Sequence, residues 1–104
     1  MNTYQESGEL FKKATSVIPI GSQTFSKSHY SLPVGAAPLF LERGKGSLVW
    51  DVDGNEYIDL VNGLMSVSLG YADSDIDQAI KDQLENGINF SLPHRLESEV
   101  AELL

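Results

Sequence analysis

The chain has 104 residues, 41% hydrophobic and 21% charged, a balance that fits one small globular domain and excludes a disordered tail. Its formal net charge of −8 excludes a nucleic-acid surface, because phosphate binding needs clustered cations. The absence of cysteine excludes disulfides and thiolate metal sites and fits a reducing, cytoplasmic location.

The first predicted element is an amphipathic helix over residues 3–18, which Pro19 ends. Its apolar stripe is formed by Leu10, Phe11, Ala14, Val17 and Ile18. The opposite face is not basic enough to bind lipid, and no run in the chain approaches the roughly 20 apolar residues that a membrane span needs. We therefore expect no membrane partner.

Residues 20–37 form a polar connection without periodicity, and such long loops tend to be functional or disordered. Four hydroxyl and amide side chains could line a site there, and His29 and Tyr30 could add a titrating group and a ring. The four are Ser22, Gln23, Thr24 and Ser26. The alternative is a solvated loop whose side chains satisfy only its own backbone. His29 has no second His or Cys at ligand spacing, which argues against a metal site.

Residues 38–60 predict a three-stranded antiparallel meander, because three short runs of β-forming residues alternate with strong turn formers. The runs are residues 39–41, 48–50 and 57–58, and the turn formers are Gly44-Lys45-Gly46 and Asp53-Gly54-Asn55. Alternation puts Leu48 and Trp50 on one face and Val49 and Asp51 on the other, so that one face can be buried.

Part of the meander has a ligand-binding alternative. Asp51, Asp53 and Asn55 match the first three oxygen ligands of a calcium loop, but Glu56 stands where that loop needs Gly and Asn62 where it needs Glu. The segment is therefore interpreted as a turn, with a small calcium-binding domain as the less favoured reading.

After the meander, residues 60–70 are mostly apolar and predict a buried, partly extended backbone. We expect another chain segment or a ligand to approach this backbone closely at Gly63. Residues 73–84 predict a helix that Gly87 ends, with a core face of Ile76, Ala79, Ile80 and Leu84. A last helix begins near Leu96 and has no C-terminal Gly or polar tail, so we expect these residues to begin a longer protein.

Three stretches together resemble the N-terminal part of class III pyridoxal-phosphate aminotransferases, over roughly residues 10–104. They are Pro38-Leu39-Phe40-Leu41-Glu42-Arg43-Gly44-Lys45-Gly46, Val49-Trp50-Asp51-Val52-Asp53-Gly54-Asn55-Glu56-Tyr57-Ile58-Asp59, and Leu69-Gly70 before a helix. The loop Ile20-Gly21-Ser22-Gln23-Thr24 makes the chain most similar to the glutamate-1-semialdehyde aminomutase branch.

The resemblance implies an α+β segment of a fold-type-I α/β enzyme that works as a homodimer on a small amino or keto substrate. Residues 1–19 would be the N-terminal helix, 20–37 an active-site-facing loop, 38–60 the small-domain meander and 61–104 the entry into the large domain. The cofactor, pyridoxal 5′-phosphate, would be bound mainly by residues beyond 104. No catalytic or cofactor-binding residue is expected here, because none of the five lysines has the apolar surroundings of a Schiff-base lysine.

By motif position, Thr24, Lys27 and Leu64 fall where the aminomutase branch has a substrate-contacting serine, an arginine and a tryptophan, and we expect them to bind substrate. Lys27 cannot reproduce the planar fork of arginine, and Leu64 has no indole ring. These departures, with Tyr71 where relatives often carry His, favour an aminotransferase with another donor or acceptor. The alternative function is a non-catalytic interaction module that pairs through its apolar helices.

Overall fold

The computed structural model describes residues 2–104, which form four helices and one three-stranded antiparallel sheet, so the predicted α+β class is confirmed. The chain divides into two compact units at Asp73. The first contains helix α1 (Gln5–Val17), strands β1 (Leu41–Lys45), β2 (Leu48–Asp51) and β3 (Glu56–Ile58), and the four-residue helix α2 (Asn62–Met65). The second contains α3 (Ser74–Leu84) and α4 (Arg95–Leu103).

Helix α1 is tied to the sheet by polar contacts at its N-terminal end. The carboxylate of Asp53, from the turn between β2 and β3, accepts hydrogen bonds from the backbone N–H groups of Glu6 at 2.8 Å and Ser7 at 3.0 Å. A carboxylate here satisfies donors that the helix leaves unpaired and complements its dipole. The buried Ser7 hydroxyl accepts a further bond from the Leu39 N–H at 3.1 Å. A distant residue therefore caps this helix.

The meander is as predicted in order and direction, but its first turn lies later than expected. Gly44 and Lys45 belong to β1, and Lys45 pairs with Leu48, which leaves a two-residue turn. Gly46 opens that turn with a φ of 57°, a value that suits glycine at the first position of a tight hairpin.

The buried face of β2 carries Val49 and Asp51, the latter only 1% exposed. The other face, with Leu48 and Trp50, is half-buried. Part of it is covered by the Arg43 guanidinium, which lies 3.6 Å from the centre of the Trp50 ring. The alternation was foreseen, and the structure adds that the face with the carboxylate is the inner one.

The expectation that residues 60–70 are buried and extended is wrong. Leu60 is 88% exposed and Met65 85%, and helix α2 is a single turn whose four residues have φ between 51° and 72°. The neighbour that comes close at Gly63 is the same loop, since a Cβ there would lie 2.8 Å from Ser66 Oγ. The Asp59 carboxylate accepts hydrogen bonds from the N–H groups of Val61 and Asn62 at the start of this turn, and these override the extended conformation that the sequence favours.

The second unit has the two predicted helices. Gly87, with a φ of 93°, follows α3, and α4 opens with a capping box in which Glu97 Oε1 accepts from the His94 N–H at 2.8 Å. The expected core face of α3 is not covered within this unit: Ile80 and Leu84 are each 53% exposed. Two short helices supply too little apolar surface to bury it.

A glycine pair tests the packing of the meander. A Cβ at Gly44 would overlap the ring of Tyr71, whereas one at Gly8, in α1, would meet nothing within 4 Å. We expect Gly44→Ala to lower the free energy of unfolding by about 1–3 kcal/mol through overpacking. Gly8→Ala should raise it by up to about 1 kcal/mol through helix propensity. Urea unfolding followed by Trp50 fluorescence measures both, and equal effects of the two variants would contradict the packing described.

Candidate functional site

The three residues expected to bind substrate lie on two loops of the first unit. Thr24 immediately precedes a 3-10 turn, Phe25–Lys27, and Lys27 ends it. Their side chains are exposed, and Thr24 Oγ1 lies 3.1 Å from Ser26 Oγ. Leu64 is on helix α2 and is 68% exposed. The fold thus brings Thr24 and Lys27 to one turn and presents Leu64 from another loop.

A run of stacked rings supports the turn that carries Lys27. Phe11 of α1 meets His29 edge-on at 4.8 Å, His29 stacks on Tyr30 at 4.5 Å, and Tyr30 stacks on Phe25 at 5.8 Å. Two of these rings, Phe25 and Tyr30, are largely exposed to solvent. The loop expected at residues 20–37 is therefore ordered by 3-10 turns and aromatic contacts rather than by its hydroxyls alone. Sequence reasoning noted His29 and Tyr30 and placed Phe11 on the apolar stripe of the first helix, but it did not connect Phe11 with this loop and did not consider Phe25, although all four are aromatic rings within 20 residues.

One buried polar cluster surrounds the Asp51 carboxylate. It accepts from the Asn55 N–H at 2.7 Å, from Asn55 Nδ2 at 2.8 Å and from the Tyr57 hydroxyl at 3.0 Å. Burial raises the pKa of Asp51, but the hydrogen bonds from Asn55 and Tyr57 outweigh it, so that pKa lies below its ordinary value. Burial, together with the Tyr4 hydroxyl and Asp51, raises the pKa of Tyr57. Of the calcium-like set, the carboxylates of Asp51 and Asp53 thus both accept hydrogen bonds from protein donors.

A second carboxylate, Asp59, closes the loop of residues 60–70. Its Oδ2 accepts from the Tyr71 hydroxyl at 2.6 Å, and its Oδ1 accepts from the N–H groups of Val61 at 2.8 Å and Asn62 at 3.2 Å. The hydrogen bond from Tyr71, with those from the two backbone groups, lowers the pKa of Asp59. The same bond, with burial, raises the pKa of Tyr71.

A shallow cavity of about 320 Å³ lies beside the first strand and does not include the three expected residues. It is lined by Leu41, Glu42, Arg43, Gly44, Val49 and Tyr71. In residues 2–104, no group of three or more His, Cys, Asp or Glu side chains could hold a metal ion. Over the same residues, no helix is long and apolar enough to span a membrane.

A family model described as aminotransferase class-III matches residues 30–104. The chain belongs to the class III aminotransferase family. It is 38% identical over its whole length to glutamate-1-semialdehyde 2,1-aminomutase 2 of Halalkalibacterium halodurans, of which it covers 24%. The class III aminotransferase chain thus spans about a quarter of the length of the curated relatives it matches.

Solved structures of transaminases show the same fold as this chain. An omega-transaminase from Sphaerobacter thermophilus is 38% identical and matches with a TM-score of 0.79, over 96% of this chain and 23% of that one. A structure described as a transaminase with PLP bound is 31% identical and also has a TM-score of 0.79, over 94% of this chain and 22% of that one. The predicted relationship to pyridoxal-phosphate-dependent transaminases is confirmed.

The family implies pyridoxal phosphate, and the lysines of this chain test whether its residues fit that cofactor. Lys12, Lys13, Lys27, Lys45 and Lys81 are all exposed. A Schiff-base lysine is activated by desolvation or by a neighbouring cation in a pocket, and none of the five lies in the described cavity. The described residues of this class III aminotransferase chain therefore include no lysine whose surroundings suit a Schiff base with the cofactor.

The acid stability of the chain should report on its buried carboxylates. The folded pKa of Asp51 lies below the ordinary value of 3.8, so its contribution is complete above that value and is lost as pH falls through the folded pKa. Asp51→Asn should be less stable at about pH 7 and should lose less stability on acidification to about pH 3. Urea unfolding at both pH values measures this, with Glu85→Gln, an exposed carboxylate, as the control. A loss on acidification as large in Asp51→Asn as in the unmodified chain would contradict the assignment.

Proposed function

We propose that this chain works as one segment of a longer pyridoxal-phosphate-dependent class III aminotransferase and is not catalytically complete by itself. The observation that carries the proposal is the combination of a family match over residues 30–104 with the absence of a buried amine among residues 2–104. When bound, the cofactor supplies the electron sink for amino-group transfer. Residues beyond 104 would supply its lysine and most of its contacts, since the described lysines are exposed.

The role of this segment in that enzyme is to form part of the substrate wall, meaning the surface of the active site that contacts the substrate through Thr24, Lys27 and Leu64. Lys27 binds a substrate carboxylate as a mobile point charge, and the Thr24 hydroxyl donates a hydrogen bond from the start of the same turn. Leu64 provides apolar contact and cannot stack on a substrate. Because a lysine accepts more than one carboxylate geometry and Leu64 leaves more space than a tryptophan, the site suits an amino donor or acceptor other than glutamate semialdehyde.

The enzyme is proposed to act as a cytoplasmic homodimer. Support comes from the apolar faces of the second unit, where Ile80 and Leu84 of α3 and Leu103 of α4 are more than half exposed. A face of this kind is normally covered by another part of the protein or by another subunit. The same observation supports the second candidate, a non-catalytic module that pairs through these helices.

The assignment of Lys27 can be tested by comparing a donor with a carboxylate and one without. In the longer enzyme, Lys27→Ala should lower the ratio of kcat/KM for L-alanine to that for isopropylamine by about tenfold or more, because a charge-assisted hydrogen bond is lost. Lys27→Arg should keep the ratio within about threefold. Lys13→Ala, which removes an exposed charge from α1, is the matched control.

A ratio unchanged in Lys27→Ala would remove Lys27 from the substrate site without affecting the family assignment. Absence of turnover with any amino donor in the cofactor-loaded longer protein would instead contradict the proposed function and favour the non-catalytic module.

A further inference from the structure

We propose that the hydrogen bond between Asp59 and Tyr71 is a latch that closes the 60–70 loop (residues 60–70) and thereby positions Leu64 toward substrate. The inference rests on the proposed function, because it assigns Leu64 to the substrate wall. Asp59 and Tyr71 would be positioning residues, since they act through the loop and not on the substrate itself.

The latch joins the two ends of the loop. Asp59 immediately precedes it and Tyr71 immediately follows it, and the hydroxyl of Tyr71 donates to the carboxylate of Asp59 across 2.6 Å. Compact loops of 6–16 residues whose ends meet in this way pack on themselves and are frequently functional. The short distance and the charged acceptor place this bond among the stronger hydrogen bonds of proteins.

Tyr71 is itself held to the sheet at two further points. Its backbone N–H and C=O both pair with Gly46, at 2.9 and 2.8 Å. Its ring covers Gly44 of β1, where a side chain would collide with it. A tyrosine fixed at its backbone and its ring has little freedom left to lose when its hydroxyl binds Asp59, so the latch has a low entropic cost.

The segment that the latch closes is strained and apolar on its surface. Asn62, Leu64 and Met65 have φ of 51°, 57° and 72°, a left-handed conformation that is unfavourable for residues such as Leu64 and Met65. The Asp59 carboxylate also holds the start of this turn through Val61 and Asn62. One carboxylate thus joins the loop closure to the turn that presents Leu64.

This strain is not compensated by burial, because Leu64 and Met65 are exposed by 68% and 85%. An exposed leucine in an unfavourable backbone conformation gives no stability to its own unit. Among the described residues, burial does not hold Leu64 in place, so the latch and the hydrogen bonds that Asp59 accepts from Val61 and Asn62 supply the constraint that keeps it there.

The test uses Tyr71→Phe in the native protein that carries this chain, since this change removes only the hydroxyl and keeps the ring over Gly44. Amide hydrogen exchange at Leu64, Val67 and Gly70, whose N–H groups are bonded within the loop, should accelerate by about tenfold or more. Exchange in β2 should stay unchanged. Tyr4→Phe is the matched control, because it removes a tyrosine hydroxyl that lies near Tyr57 at 3.4 Å and not in the loop.

The kinetic part of the test separates positioning from a purely structural role. With the faster of L-alanine and isopropylamine as donor, Tyr71→Phe should raise KM about three- to tenfold and change kcat less, because ground-state contact is lost. Leu64→Ala should raise KM similarly while leaving the exchange of the Val67 and Gly70 amides within about twofold.

Unchanged exchange in Tyr71→Phe would overturn the latch. Faster exchange with an unchanged KM would overturn its role toward substrate and leave the proposed function intact. If no donor turns over, the proposed function and the substrate role both fall, while the exchange result still decides whether the latch closes the loop.

Discussion

The first unit depends on the place where Tyr71 returns to the meander. Its backbone pairs with Gly46, its ring lies on Gly44 and its hydroxyl binds Asp59, so one residue connects the first hairpin to the end of β3. This contact requires glycine at position 44, which explains why a residue with low β propensity stands inside β1. It also fixes where the chain leaves the sheet, and therefore where the 60–70 loop begins and ends.

Acidic side chains carry much of the remaining order, which suits a chain with a net charge of −8. Asp51 holds Asn55 and Tyr57 in the second hairpin, Asp53 caps α1, and Asp59 closes the 60–70 loop. Each carboxylate accepts at least two hydrogen bonds, so the cost of desolvating it is offset by its donors. The function proposed for the chain uses none of the three as a catalytic group, which is consistent with their role in holding the fold together.

The meander, its direction and the helices α1, α3 and α4 could be predicted from the sequence, because turn-forming glycines and apolar periodicity are local signals. The position of Gly44 in β1 could not, since the reason for it is a ring 27 residues away in the chain. The conformation of residues 60–70 was mispredicted for a related reason: their apolar composition favours burial, whereas hydrogen bonds to Asp59 set the backbone. Thr24, Lys27 and Leu64 came from a family resemblance, and their role toward substrate stays a prediction.

Whether this chain is a segment of a larger cofactor-dependent enzyme can be decided from the intact mass of the native product, taken with its absorption spectrum. We expect a mass several times 11.4 kDa and a visible band of bound pyridoxal phosphate that borohydride removes. A product of 11.4 kDa without such a band would contradict it. The 104 residues would then be the mature protein, and binding rather than catalysis would be their function.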